Sequence, residues 1–468
     1  MKTRWTLVFA LGLSVFMVGL DANIVVVALP TIAESFTATP GNVQWVVLGY
    51  MLPTLALLVP VGRWLDTVGQ RPSFILALAG FAVASVLVGL APNLLLLVAM
   101  RALQGAFGTV IMALIFIIIS EAVRPQERGR ALGIITTLGP LGAASGPPIG
   151  GLLLETTGWP AIFFVNVPVS LVAMGIVFRT MPGGGGLRLP NVDWFLEALL
   201  LAGAALSFFG GLTLSDSQGP IWLGLWVLTG ALLVTWGKRR AAEPVKRLVA
   251  TRAFALPLWA LILLTTVAGM IVYLVPFFLT GTIMAAPRTV GFTVLMFPLA
   301  MGIMGPAAGY LSDRIGPTRV SLLGGIWIFG ALILIAPLGS AWGPESLAWR
   351  LALLGIGTGL FAGPVGSALM AATPRVLMGA ASGTTGLARN LGFTLGPALA
   401  TAVWASSDYT LTGMRMGVAT AAGAAALAVV SLAVATRIAA PPSYRPDASE
   451  AGTTEFAAGP GGRATEMH

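Results

Sequence analysis

The stretch that decides the fold is Gly62-Arg63-Trp64-Leu65-Asp66-Thr67-Val68-Gly69-Gln70-Arg71-Pro72, which separates two long apolar runs. The same spacing returns later, as Gly309-Tyr310-Leu311-Ser312-Asp313-Arg314-Ile315-Gly316-Pro317-Thr318-Arg319. A second matching pair, Gly142-x-x-x-Gly146-Pro147 and Gly392-x-x-x-Gly396-Pro397, lies at nearly the same offset of about 250 residues. Two matches at a common offset predict two homologous halves, an architecture of membrane transporters that bind substrate near the midplane between their repeats.

The composition indicates that a bilayer surrounds most of the chain. Of its 468 residues 57% are hydrophobic and 9% are charged, whereas an average soluble domain has about 25% charged residues. The chain has no cysteine, and its one histidine is His468, so disulfides, thiolate metal sites and intramembrane imidazoles are excluded. Because no Walker-type loop, metal-ligand cluster or nucleophile–base arrangement occurs either, the sequence predicts no enzyme, no metal and no cofactor.

Apolar stretches long enough to span a membrane, at about 20 residues each, predict an all-α integral membrane protein with fourteen transmembrane helices. The first stretch is too long for a signal peptide, and we expect it to stay in the mature protein. Lys and Arg are concentrated in every second loop between the apolar stretches, that is, in the loops on one side of the membrane. This placement predicts a cytoplasmic-membrane protein with both termini in the cytoplasm. The same placement argues against nucleic-acid binding, despite a net charge of +9. The stretches are 7–29, 43–62, 73–91, 94–120, 130–153, 160–178, 192–214, 220–237, 253–280, 289–311, 319–338, 347–371, 380–404 and 415–436.

These stretches divide the chain into four parts. Residues 1–180 and 251–438 form the N-terminal and C-terminal six-helix halves, which together predict two helical bundles. Residues 181–250 contain a flexible Gly-rich tether, two inserted transmembrane helices and a basic inner loop. Residues 439–468, rich in Pro, Gly and Ala, predict a disordered cytoplasmic tail.

The repeated loop motif predicts a gate. Gly62 and Gly69 allow a tight turn and close helix approach. Asp66 can bond a helix N-terminus and a nearby Arg such as Arg71, and Asp313 occupies the matching position of the second half. The alternative is a charged loop that only helps to set membrane topology.

Several segments together resemble the major facilitator superfamily and its fourteen-spanner drug/proton antiporter branch. Gly62-x4-Asp66-x2-Gly69-x-Arg71 resembles the superfamily's loop signature, although Gln70 replaces a usual basic residue. The segments similar to other motifs are Ala99–Gly105, Gly142-x3-Gly146-Pro147-x2-Gly150-Gly151, Leu20-Asp21 with Val27–Pro30, and Trp159–Pro168. The resemblance implies the major facilitator fold. It also implies that the bend around Gly142, Gly146, Pro147 and Gly150 seals a leak path between the halves.

Asp21 and Arg101 are the candidate proton-coupling residues. A carboxylate at mid-membrane depth costs on the order of 2.5–3.5 kcal/mol, so Asp21 should face a cavity or a partner. It is either a protonation site, a group that attracts cations, or a structural carboxylate. Arg101 can pair with Asp21 or bond backbone carbonyls, and the resemblance implies a role in proton coupling.

Soft and polar side chains near the expected cavity are candidates for substrate contact, although such residues more often face lipid or core. They are Trp45, Tyr50, Gln104, Met112, Tyr273, Phe277, Arg389 and Asn390. The sequence therefore predicts proton-coupled efflux of amphipathic or cationic organic compounds by a monomer, with protons, a small-molecule substrate and the lipid bilayer as its partners. The alternatives are a dedicated exporter of one metabolite, antibiotic or lipid, and a receptor that transports nothing.

Overall fold

The computed structural model is helical throughout its described residues, which are 4–65, 67–124, 127–181, 185–188, 190, 192–214, 221–239, 242–374 and 377–438. The loop residue Asp66 and the tail 439–468 lie outside these ranges. The helices are α1 (Trp5–Ser35), α2 (Pro40–Val43), α3 (Trp45–Leu65), α4 (Gln70–Gly89), α5 (Leu94–Ala122), α6 (Arg128–Thr156), α7 (Ala161–Phe164), α8 (Asn166–Thr180), α9 (Val192–Leu214), α10 (Ile221–Gly237), α11 (Glu243–Val249), α12 (Arg252–Gly281), α13 (Pro287–Ile315), α14 (Pro317–Ile335), α15 (Pro344–Ala371), α16 (Met378–Ala405) and α17 (Leu411–Arg437).

Within the described residues, eleven segments are long and apolar enough to cross a membrane. The helices α6, α10 and α16 overlap the other three predicted spans but are not among the eleven. Helix α10 has only 17 residues, and α6 and α16 contain many Gly, Ser and Thr residues. An all-helical membrane fold is therefore confirmed, whereas the count of fourteen spans stays a prediction.

The helices of the two halves pack in the same pairwise order. Helix α1 packs on α6 and α8 as α12 packs on α16 and α17, and α5 packs on α3 and α4 as α15 packs on α13 and α14. The inserted helices α9 and α10 pack on each other, and α9 also contacts α3 and α16. The packing thus repeats in three dimensions in the order that the duplicated motifs follow along the chain.

Glycines bring α1 and α6 into backbone contact. A Cβ atom on Gly142 would lie 2.1 Å from the Phe16 carbonyl oxygen, and one on Gly146 would lie 2.8 Å from the Ile24 nitrogen. The equivalent contact in the second half joins Gly396 of α16 to Gly269 of α12, where an added Cβ would come within 2.5 Å. Small residues allow this approach between membrane helices, where lipid provides no hydrophobic force to drive association.

The two halves meet at one face of the bundle and separate at the other. At the face where α1 ends, here called the closed face, Ala28, Leu29, Ile32 and Ala33 belong to the same buried apolar cluster as residues of α12 and α15. Gly151 and Gly291 also contact backbone across the halves there, against Pro287 and Pro147.

The opposite face, where α1 begins and α17 ends, is here called the open face. The buried apolar residues that the N-terminal half places there, such as Leu7 and Ile119, form a cluster that contains no residue of the C-terminal half. Along the last part of α13, nothing lies within 4 Å of a Cβ built on Gly302, Gly305 or Gly309. The space between the halves is therefore accessible from the open face.

Candidate functional site

A buried ion pair lies halfway along α1. The Nη1 atom of Arg101 on α5 donates to Oδ2 of Asp21 at 2.7 Å, and the two side chains are 1% and 0% exposed. A cation beside the carboxylate offsets the cost of burying either charge in a medium of low dielectric constant. The sequence placed both residues within spans, and the structure brings them into direct contact.

Neutral polar side chains donate hydrogen bonds to the other carboxylate oxygen of Asp21. Both the Gln104 amide, at 2.9 Å, and the Asn166 amide, at 2.7 Å, donate to Oδ1. Gln104 also donates to Ser85 Oγ at 2.8 Å and accepts from Arg101. We call Asp21, Ser85, Arg101, Gln104 and Asn166 the Asp21 network. It connects α1, α4, α5 and α8 at one point, and the oxygen of the Asn166 amide has no hydrogen-bond partner in the structure.

Arg101 has further partners that fix its orientation. Its Nε donates to the Val46 carbonyl oxygen of α3 at 3.2 Å. Its guanidinium carbon lies 4.4 Å from the centre of the Tyr50 ring and 5.6 Å from that of Phe163. Cation–π contacts of this kind are stronger where water is excluded. Arg101 therefore acts as a rigid counter-ion between α1 and α3.

The sequence interpretation singled out neither Ser85 nor Asn166 as a site residue. Asn166 lies in the segment Trp159–Pro168 that carried part of the family resemblance, and Ser85 is an isolated hydroxyl in an apolar run. A polar residue inside a predicted span is the signal that points to both.

The predicted substrate-contact residues occupy different environments. Tyr50 and Gln104 are buried in contact with Arg101, so they do not line the open space in this conformation. Tyr273 and Phe277 are buried at the closed face, where the Tyr273 hydroxyl donates to Pro40 O at 2.7 Å and Phe277 packs on Trp404. Of the remaining candidates, Trp45, Met112 and Asn390 are part-buried and Arg389 is exposed.

The loop motif binds the segment that was expected to be a flexible tether. The Gly69 amide donates to Gly186 O at 3.2 Å, and the Trp64 indole donates to Arg188 O at 2.9 Å. Arg71 donates to Phe178 O at 2.8 Å. The carbonyl groups of Gly186 and Arg188 are thus bonded to the loop motif, and the flexible tether stays a prediction.

The second-half copy of the loop motif differs from the first. Asp313 is exposed, and Gly316 adopts a φ of 91°, a conformation that favours glycine at the turn between α13 and α14. The predicted contact of Asp66 lies outside the described residues. The predicted gate therefore stays a prediction.

Two similar helical bundles, a space open to one face and a buried ion pair at mid-depth define a membrane transporter rather than an enzyme. The sequence profile of the Major Facilitator Superfamily matches residues 11–281 and 258–463. The chain belongs to the Major Facilitator Superfamily.

Several bacterial transporters are similar to the chain over most of their length. It is 29% identical to the riboflavin transporter RibZ of Clostridioides difficile (strain 630), over 87% of this chain and 90% of that protein. It is 30% identical to the tetracenomycin C resistance and export protein of Streptomyces glaucescens, over 86% and 76%. It is 29% identical to the multidrug resistance protein Stp of Mycobacterium tuberculosis (strain CDC 1551 / Oshkosh), also over 86% and 76%.

A solved structure supports the fold independently. The bacterial homologue of the human lysosomal transporter Spinster, in an inward-facing and unoccupied conformation, superimposes with a TM-score of 0.70. The match covers 94% of this chain and 100% of that one at 15% identity. At this identity the comparison establishes the shared helical architecture.

Proposed function

We propose that this protein is a proton-coupled exporter of amphipathic organic compounds in the cytoplasmic membrane. It would have fourteen spans, with the open face and both termini in the cytoplasm. The observation that carries the proposal is Asp21, the one acidic residue near the middle of a span in either half. In a protein without intramembrane histidine, this carboxylate is the group best suited to bind a proton at mid-depth.

Proton binding at Asp21 would change the bonding of four helices. The carboxylate accepts bonds from three donors, on Arg101, Gln104 and Asn166. A protonated carboxyl has one acceptor fewer and one donor more. It would leave the Arg101 charge uncompensated, so the Asp21 network would have to rearrange, and the open-inside and open-outside states would shift in population.

The expectation of cationic substrates receives no support from Asp21 itself. Both of its oxygens are engaged and its side chain is 0% exposed, so its charge is neutralised before any substrate arrives. A dedicated exporter of a single compound is the second candidate, because relatives named for riboflavin and for tetracenomycin C are about as similar as those named for multidrug resistance.

The test is transport in proteoliposomes under an imposed pH gradient, with a panel that includes riboflavin and several unrelated dyes. Asp21→Asn leaves the Arg101 charge uncompensated and should be less stable. We expect it to remain folded, as read by tryptophan fluorescence, and to lose the gradient-driven component of flux. Ser14→Ala is the matched control, since Ser14 is buried on the same helix and its hydroxyl bonds only Ala10 O. Gradient-driven flux at the wild-type rate in Asp21→Asn would contradict the mechanism.

A further inference from the structure

Arg389 is an arginine in the middle of a membrane helix, and no acidic side chain among the described residues pairs with it. It is the twelfth residue of the 28-residue helix α16 and is exposed. It makes no hydrogen bond, ion pair or ring contact with any described residue. Between 252 and 438 the sequence has acidic residues only at Asp313, Glu345 and Asp408. Each of these lies near a helix end or in a loop.

The neighbours of Arg389 on α16 show where its side chain projects. Gly392, three residues later, contacts α12, and Gly386, three residues earlier, approaches Leu58 of α3. At about 100° per residue, Arg389 lies roughly 60° from each of these positions, between the faces that meet α12 and α3. Helix α1 contacts both α12 and α3, so this direction leads toward the centre of the bundle.

The side of α16 that packs on the inserted helix α9 lies in the opposite direction. Leu391 and Leu395 pack in the cluster that contains Phe209 of the inserted helix α9. Arg389 is therefore exposed to the space between the halves rather than to lipid. Closer to the closed face the halves are already in contact, through Thr394 Oγ1 and Met51 Sδ at 3.7 Å. Arg389 thus lies at the inner end of the open space.

The charges around this space do not balance. Asp21 is neutralised by Arg101, and the C-terminal half places no carboxylate at the depth of Arg389. An ionisable group at this depth is costly unless it meets a partner, and no partner for Arg389 is present in the described chain. A guanidinium also binds carboxylate-like groups through two parallel hydrogen bonds, which an ammonium group cannot reproduce.

We infer that Arg389 is the recognition site for an acidic group on the substrate, so that the exported compounds are amphipathic organic anions. This inference rests on the proposed transport function and replaces the expectation of cationic substrates. Asn390, half-buried beside Arg389, adds an amide that can bond a neutral part of the same molecule. As the cavity closes around a substrate and excludes water, the contact between opposite charges becomes stronger.

Two xanthene dyes of similar size and opposite charge provide the test. Fluorescein is an anion at pH 8 and rhodamine 123 is a cation. Binding to the purified protein is measured by fluorescence anisotropy in nanodiscs of zwitterionic lipid, so that no lipid supplies a competing anion. We expect the wild type to bind fluorescein more tightly, and Arg389→Ala to weaken fluorescein binding by about 10- to 100-fold while leaving rhodamine 123 unaffected.

Two variants act as references. Arg389→Lys keeps the charge and should retain part of the preference. Arg437→Ala removes another exposed arginine, at the end of α17, and should change nothing. A wild type that binds no fluorescein or prefers rhodamine 123 overturns the inference. So does an Arg389→Ala variant that weakens both dyes equally.

Gradient-driven flux of the more tightly bound dye is then compared between the wild type and Asp21→Asn. This comparison separates the claim of proton coupling at Asp21 from the claim of anion recognition at Arg389. If the anion preference depends on Arg389 but gradient-driven flux is unchanged in Asp21→Asn, the proposed proton coupling is wrong and the recognition site is retained. If gradient-driven flux is lost in Asp21→Asn but the wild type binds the anionic and cationic dyes equally well, only the recognition site is wrong.

Discussion

Removal of Arg101 should strongly destabilise the protein, and removal of both charges should be better tolerated. In Arg101→Met the buried Asp21 loses its counter-ion, and breaking a buried ion pair from one side costs about 3–5 kcal/mol. The donors on Gln104 and Asn166 remain but carry no net charge. In the double variant Asp21→Asn/Arg101→Met no charge is left uncompensated. Its loss of stability should therefore be smaller than the sum of the two single losses.

The free energy of unfolding can be followed by tryptophan fluorescence during denaturant titration in mixed micelles, since the chain has 13 tryptophans. Arg437→Met is the control, and a change at that exposed site should stay within about 0.5 kcal/mol. Equal stability of Arg101→Met and Arg437→Met, or strict additivity in the double variant, would refute the reasoning.

Two further perturbations test the packing. Gly142→Ala should destabilise by about 1–3 kcal/mol because its methyl group would overlap the Phe16 carbonyl, whereas Gly230→Ala, with nothing within 4 Å, should be neutral in the same unfolding assay. Tyr273→Phe removes the hydroxyl bond to Pro40 O across the halves. If this hydrogen bond contributes about 1 kcal/mol, its loss should raise the population of molecules in which the halves separate at the closed face about fivefold. Spin labels on cysteines introduced at Ser35 and Gly281 would report it as longer distances, and an unchanged distribution would count against the contact.

Much of the fold could be predicted because it depends on local patterns. Apolar runs determine where helices lie, and the glycines at 142 and 146 mark a close approach of two helices. The number of spans was harder to predict, because α6 and α16 contain many Gly, Ser and Thr residues in place of large apolar ones. These small residues allow close packing but make both helices less apolar. The Gly-rich tether shows that one composition is compatible with two structures. Glycine permits mobility, but it also permits the backbone contact that Gly186 makes with Gly69.

The site was predictable only in part. A mid-span acid needs a partner, so Asp21 and Arg101 were identifiable from the sequence alone. Asn166 is 145 residues from Asp21, and nothing local indicates that the two meet. Tyr50 was expected to line the cavity but stacks on Arg101 instead. An aromatic residue on an apolar helix gives no indication of which side it faces, because lipid, core and cavity all accept it.

The position of Asp21 on α1 connects the site to the contact between the halves. The apolar residues from Ile24 to Leu29, and then Ile32 and Ala33, follow Asp21 on the same helix and pack in the cluster that joins the two halves at the closed face. Gly146 of α6 contacts α1 at Ile24, one turn beyond the carboxylate. A rearrangement of the Asp21 network that rotated or shifted α1 would therefore move part of the closed face directly. Because α1 contains both the carboxylate and part of the closed face, coupling between them does not require a long series of intervening residues. Substitutions between Asp21 and Ala28 that preserve packing should therefore affect transport more than equivalent changes on α4 or α14.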